Sequence, residues 1–218
     1  MFDYILPLYE DHVMVITMDF LGNGQSQRVA SFPSDLWIQQ ADQVIALLEH
    51  LKLSKVNVVG TSGGAWTAIN AAIKRPVLIA KVVADSFDGR NLAPTFPQAL
   101  IAERTAAKQD KDARAFYEWC QGADWEHVVD ANTEALLSCA KLKEPLFCEP
   151  LSALQCPLLL VGSQQDTMCR KDIKEEYLAL QQLHSNCQIH LFPCGGHPAI
   201  LSNAEAFAEV VLKFLNLA

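Results

Sequence analysis

The chain has no basic stripe. Its 218 residues carry 17 Lys and Arg against 25 Asp and Glu, a formal net charge of −8. Nucleic acid and anionic membrane surfaces both need clustered positive charge, so neither is an expected partner. The two signs are mixed along the chain, and the acidity bears on solubility. No apolar run approaches the ~18 residues of a membrane span. The opening Met1-Phe2-Asp3-Tyr4 has neither a basic n-region nor an apolar h-region, so no signal peptide is expected. The 7 cysteines, at positions 120, 139, 148, 156, 169, 187 and 194, are odd in number, and the chain is too large to need disulfide staples. Reduced thiols in a cytoplasmic protein are the expectation.

What is present is enough apolar residue for a sizeable core. Half of the chain is hydrophobic (50%), with mean hydropathy +0.11. One domain with room for an insertion fits that length.

The most informative stretch is Val56-Asn57-Val58-Val59-Gly60-Thr61-Ser62-Gly63-Gly64-Ala65. A β-branched run ends in Gly-x-Ser-x-Gly, and a small-residue helical segment follows at once. A nucleophilic serine needs this context: a strand to fix it, a tight turn to lift its Oγ, and a helix start to aim N–H groups at the reacting atom. Gly60 and Gly64 are expected to approach across the turn, where side chains would clash. The same five-residue pattern also occurs as a plain flexible loop, so the rest of the chain must decide.

Val13–Met18 reads as a buried strand ending in the turn Asp19-Phe20-Leu21-Gly22-Asn23-Gly24-Gln25-Ser26. Asp19 and Ser26 are assigned to that turn. Ser34–Leu53 reads as a helix with Trp37, Ala41, Val44, Leu48 and Leu51 on one face. Strands are expected at Lys55–Val59, Ala80–Ala84, Pro157–Val161 and Gln188–Phe192. Helices are expected at Gly63–Lys74, stopped by Pro76, and at Lys171–Leu183. Ser202-Asn203-Ala204-Glu205 has the form of a capping box for a last helix that buries Phe207, Val210, Val211 and Phe214. Residues 88–150 contain no strand pattern, only helices near 97–109, 111–120 and 123–142.

Alternating strands and helices predict the α/β class, with a mostly parallel sheet flanked by helices. Reactive groups then gather beyond the carboxyl ends of the strands. Ser62, Asp166 and His197 each follow a strand, in that chain order.

Here the sequence resembles the α/β-hydrolase family. The resemblance rests on Asp19-x-x-Gly22-x-Gly24-x-Ser26, Gly60-Thr61-Ser62-Gly63-Gly64, Gly162-Ser163-Gln164-Gln165-Asp166 and Gly195-Gly196-His197. It implies a core of residues 1–87 and 151–218 and a helical cap insertion, residues 88–150. It further implies that His197 takes the Ser62 proton during attack. Asp166 would hold the imidazole tautomer, and the Gly63 N–H would face the oxyanion. The implied activity is hydrolysis of a small-molecule ester, or a related amide or C–C substrate, through an acyl-enzyme. The other reading is a non-catalytic ligand-binding or inactive relative. Phe87, Trp119, Trp125 and His127 are candidates to line the substrate pocket, set against plain packing within the cap. No cofactor is expected, and a homodimer is left open.

Each site residue has a bland alternative. Asp166 could be a helix cap, and the turn at His197 only a turn. Asp85 and Asp88 are a second location for the acid, set against solvated loop or cap roles. His184, Cys187, His190, Cys194 and His197 are closely spaced, but a strand through His190 sends neighbours to opposite faces, so no metal is expected. Cys169 and Cys194 read as buried small hydrophobes near the site.

The resemblance also implies a shortened start. Val13–Met18 matches the family's fourth strand. The third strand and the His-Gly loop, which carries a second oxyanion N–H, have no counterpart. The expected accounts are an upstream coding segment with an apolar strand and His-Gly, direct pairing of Val13–Met18 with Val56–Thr61, or strand addition from another chain.

Overall fold

A computed structural model describes residues 2–217. Its sheet is built from β1 (Val56–Thr61), β2 (Ile79–Asp85), β3 (Leu158–Ser163) and β4 (Cys187–Phe192). The strands lie in the order β1-β2-β3-β4, all parallel. Each was legible as a short apolar run. β3, Leu-Leu-Leu-Val-Gly-Ser, is buried at every position, as expected where helices cover both faces of a parallel sheet.

The helices follow the same logic. α1 (Leu36–His50) precedes β1, α2 (Gly63–Lys74) and α6 (Ile173–Leu183) run between strands, and the chain closes with α7 (Ala199–Ser202) and α8 (Ala204–Leu215). α2 uses alanines to lie close on the sheet, with Ala65, Ala68, Ala71 and Ala72 buried. α8 turns Phe207, Val211 and Phe214 into a core with Val83, Leu159, Val161 and Phe192. In α1 the buried stripe runs through Trp37, Ala41, Ile45 and Leu48, while Leu51 lies beyond the helix and is exposed.

The chain divides into two compact units. One comprises Phe2–Val15, Trp37–Leu92 and Leu146–Ala218, and holds the sheet. The other comprises Ile16–Leu36 and Ala93–Pro145. It contains α3 (Phe96–Gln109), α4 (Lys111–Gln121) and α5 (Trp125–Leu142). Tyr117 and Trp125 stack there with ring centroids 5.7 Å apart. Arg28 grips Asp124 through two 2.8 Å hydrogen bonds. Asp19 and Ser26 do build their turn: Ser26 Oγ donates to the Asp19 carbonyl at 2.6 Å, and the Gln25 N–H donates to Asp19 Oδ2 at 2.8 Å.

One expected strand does not form. Residues 14–20 have no regular structure, and Met14, Val15 and Ile16 are exposed. The direct pairing of this segment with β1 is therefore corrected. An apolar run becomes a strand only when a neighbour accepts its ladder of hydrogen bonds. Among the described residues no strand pairs with the outer edge of β1, where Val59 is 40% exposed. The capping box is a second correction. Asn203, not Ser202, stands at the start of α8, and neither side chain caps it. Among the described residues no helix is long and apolar enough to cross a membrane, and no disulfide forms.

Candidate active site

The site is assembled at the carboxyl ends of β1, β3 and β4. β1 runs directly into Ser62, whose backbone sits at φ 53°, ψ −123°. An L-residue rarely adopts this conformation, and such strain persists only where the surroundings enforce it. Two glycines do so. A Cβ on Gly60 would lie 2.0 Å from the Gly64 carbonyl oxygen, and one on Gly63 would lie 2.3 Å from Trp37 Nε1. A Cβ on Gly64 would meet nothing within 4 Å. The expected mutual clash is thus one-sided: Gly60 must lack a side chain because of the Gly64 backbone, and the reverse does not hold. Trp37 is itself pinned, stacked on Trp66 at 4.3 Å, and Trp66 Nε1 donates to the Gly89 carbonyl at 2.8 Å. Gly63 opens α2, so its N–H has no acceptor within the helix.

Asp166 lies in the turn after β3 and is buried. Its Oδ1 accepts the N–H groups of Met168 at 2.9 Å and Cys169 at 3.3 Å. Its Oδ2 is 2.8 Å from His197 Nδ1. Burial works to raise the carboxyl's pKa. The hydrogen bond and charge of His197 and the Met168 N–H outweigh it and hold Asp166 below the usual carboxylate range. An ionised Asp166 assigns the Nδ1 proton to His197 and leaves Nε2 as the free acceptor.

His197 follows β4 in a turn that is tied from behind. Ser202 Oγ donates to the Gly196 carbonyl at 2.8 Å, and Asn203 Nδ2 donates to the Cys194 carbonyl at 3.2 Å. Asn203 Nδ2 also donates to Ser163 Oγ at 3.1 Å. These residues have the local spacing of a helix cap, but their polar atoms are engaged in holding this loop. Gly195, at φ 114°, leaves room for them, since a Cβ there would lie 2.2 Å from Asn203 Nδ2. Among the described residues no hydrogen bond joins Ser62 Oγ to His197.

Asp85 and Asp88 are not solvated loop residues. Asp85 is fully buried (0% exposed), and Asp88 is 4% exposed. Asp88 Oδ1 accepts the Arg170 N–H at 2.8 Å and so anchors the segment just beyond Asp166. Asp85 accepts bonds from Thr61, Ser86 and Ile200. No sequence pattern announced either role.

Cys169 Sγ lies 3.8 Å from His197 Nδ1. Together with Asp166 these donors fall within 4.8 Å of one another, close enough for a cation. Burial first, then the nearby Asp166 and Asp88 charges, push the Cys169 thiol's pKa far up. The other spaced donors disperse, with His184 Nε2 2.9 Å from the Cys156 carbonyl oxygen.

The pocket candidates divide by burial. Phe87 is 1% exposed and wedged between Trp66 and Tyr177, at 5.3 Å and 5.6 Å. Trp125 is 6% exposed under Tyr117. Both are thus packed within their own units. Trp119 and His127 are exposed on the helical unit. A cavity of about 270 Å³ in that unit is lined by Phe32, Glu134 and Leu142 among others, and by none of Ser62, Asp166 or His197.

Residues 1–210 match the family model described as the alpha/beta hydrolase family. The human protein named Serine hydrolase BPHL is 27% identical over 209 residues, covering 92% of this chain and 69% of its own length. The mouse protein of the same name is 29% identical over 188 residues, covering 84% of this chain. This chain spans only 62% of the mouse protein's length. Among solved structures, NosK from Streptomyces actuosus superposes with a TM-score of 0.77 at 18% identity, covering 99% of this chain and 90% of NosK. A family match over nearly the whole sequence, on a shared fold, leads to one conclusion: the chain belongs to the alpha/beta hydrolase family.

Proposed function

We propose that the chain is a serine hydrolase in which Ser62, His197 and Asp166 act as nucleophile, general base and orienting acid. The observation that carries this reading is the 2.8 Å bond between His197 Nδ1 and a buried Asp166, at the same sheet edge as a serine held in a strained turn. Serine is a weak nucleophile near neutral pH. His197 Nε2 takes the Oγ proton as Oγ attacks the substrate carbonyl, and Asp166 stabilises the imidazolium that forms. The Gly63 N–H, at the positive end of α2, donates to the oxyanion. The imidazolium returns its proton to the leaving group, and an acyl-enzyme is left on Ser62. His197 then activates a water to hydrolyse it.

The substrate class is a small ester, with amides and C–C bonds next to a carbonyl as related chemistry. Residues 88–150 are assigned the cap role of this family, and residues 1–87 and 151–218 the hydrolase core. Thiols that form no disulfide among the described residues favour a cytoplasmic setting.

A fluorophosphonate probe tests the mechanism. Labelling of the folded protein that disappears in Ser62→Ala is the expected result. A folded protein that takes no label supports a non-catalytic binding role. Turnover across a short-chain p-nitrophenyl ester panel then ranks the acyl groups.

A further inference from the structure

We propose that Asp85 is a positioning residue that sets the nucleophile and the general base in register. The proposal rests on the assignment of Ser62 and His197 given above. Asp85 ends β2, and its carboxylate joins three parts of the chain. Thr61, the residue before Ser62, donates its hydroxyl to Asp85 Oδ2 at 2.7 Å. The Ile200 N–H, in the first turn after His197, donates to the same oxygen at 3.2 Å. The Ser86 hydroxyl donates to Oδ1 at 2.9 Å and accepts the Ala199 N–H at 2.9 Å. The backbone repeats the link, since the Ser62 N–H donates to the Asp85 carbonyl at 2.8 Å.

Three features mark this as more than packing. The carboxyl is fully buried, where an acid is costly to keep unless its bonds are needed. Ser86 holds a left-handed backbone at φ 51°, beside Ser62 at φ 53°, and strained residues of this kind gather at functional sites. The Asp85 bonds also converge on the two segments whose relative placement proton transfer depends on. Both Oδ2 partners must be satisfied at once, so one oxygen fixes the distance between the Ser62 turn and the start of α7. Misplacement by ~1 Å between reacting groups costs about 10²-fold in rate.

The variants Asp85→Ala, Asp85→Asn and Ser86→Ala, with Ser62→Ala alongside, test the assignment on p-nitrophenyl acetate. Asparagine keeps the two bonds that join the segments: its Oδ1 accepts from Thr61 and Ile200, while the Ser86 contact reverses, with Nδ2 donating to Ser86 Oγ and the Ser86 proton losing its acceptor. The expected result is a kcat loss of about 10–100-fold in Asp85→Ala, with KM unchanged and kcat restored in Asp85→Asn. A purely structural role would lower the melting temperature without this split between kcat and KM. Should Asp85→Ala not fold, Ser86→Ala decides, because it removes the Ser86 bonds to Asp85 Oδ1 and to the Ala199 N–H while leaving the Thr61 and Ile200 bonds to Oδ2, and it is expected to lower kcat in the same manner. Wild-type kcat in a folded Asp85→Ala or in Ser86→Ala overturns the positioning role, as does an equal loss in Asp85→Asn and Asp85→Ala. If Ser62→Ala itself keeps full turnover, the underlying serine assignment fails and this one falls with it.

Discussion

Replacing Gly60 by alanine puts the turn around Ser62 under direct test. The new Cβ would sit 2.0 Å from the Gly64 carbonyl oxygen and 2.5 Å from its carbon, both backbone atoms with no rotamer to yield. Contacts of a real Cβ do not fall below 3.0 Å, so the end of β1 and the start of α2 must part by about 1 Å. Ser62 lies between them and takes up the displacement. A shift of ~1 Å at a reacting atom costs about 10²-fold in rate, and overpacking costs about 1–3 kcal/mol of stability. For a chain of this size that stability loss lowers the melting temperature by about 2–12 °C. The assay is the second-order rate of fluorophosphonate labelling at Ser62, with a thermal melt on the same sample. Gly64→Ala is the matched control, since its Cβ meets nothing within 4 Å and alanine favours the helix. The expected outcome is labelling about 100-fold slower in Gly60→Ala and near wild type in Gly64→Ala. Equal behaviour of the two variants, in either direction, would refute the reasoning.

Asp166→Asn keeps the shape of the His197 partner and loses its charge. By analogy with the same change in Ser-His-Asp proteases, turnover of p-nitrophenyl acetate falls about 10⁴-fold with the melting temperature retained, and a near-wild-type rate would remove Asp166 from the mechanism. The Asp85 carboxyl, raised by burial to about 6 from an ordinary value of about 3.9, binds more protons folded than unfolded between those values. Its contribution to stability therefore falls as pH rises from about 4 to about 6, by about 3 kcal/mol, and is flat above. The groups around it are His197, Tyr9, Cys169 and Tyr177. Denaturant titrations of wild type and Asp85→Asn across that range should diverge with this sign, and parallel curves would sink the idea. Iodoacetamide with mass-spectrometric mapping should modify exposed Cys194 well before Cys169, whose thiol is held protonated by burial and the neighbouring acids; faster reaction at Cys169 would contradict that environment.

What could be read from the sequence was what short-range physics settles. Leu158–Val161 is apolar enough to be a central strand in almost any partner set, and the small residues of 63–72 can only cover a sheet closely. Ser62, Asp166 and His197 were legible because each follows such a run. Val13–Met18 has equally strong strand composition and yet forms no strand, with Met14, Val15 and Ile16 exposed. Composition states what a segment would do with a neighbour, and the neighbour is a property of the whole sheet. Ser202 and Asn203 show the same limit from the polar side. Their spacing is that of a cap, but the carbonyls of the His197 loop were closer claimants.

Asp85 is the sharpest case, because its partners could not be inferred from spacing. Ile200 lies 115 positions away in the chain, and Thr61 lies 24 away. Only the parallel register, which sets Thr61 opposite Asp85 and Asp85 opposite Val161, brings the end of β2 between the two loops. Ser62, Asp166 and His197 follow β1, β3 and β4 of one ladder, in which β2 pairs with both β1 and β3. The geometry of the site thus depends on the β1-β2-β3-β4 ladder, and Asp85 is where that ladder's register is passed from backbone to side chains. It follows that a substitution loosening β2 should disturb His197 and Ser62 together, whereas one in residues 14–20 should leave their mutual placement unchanged.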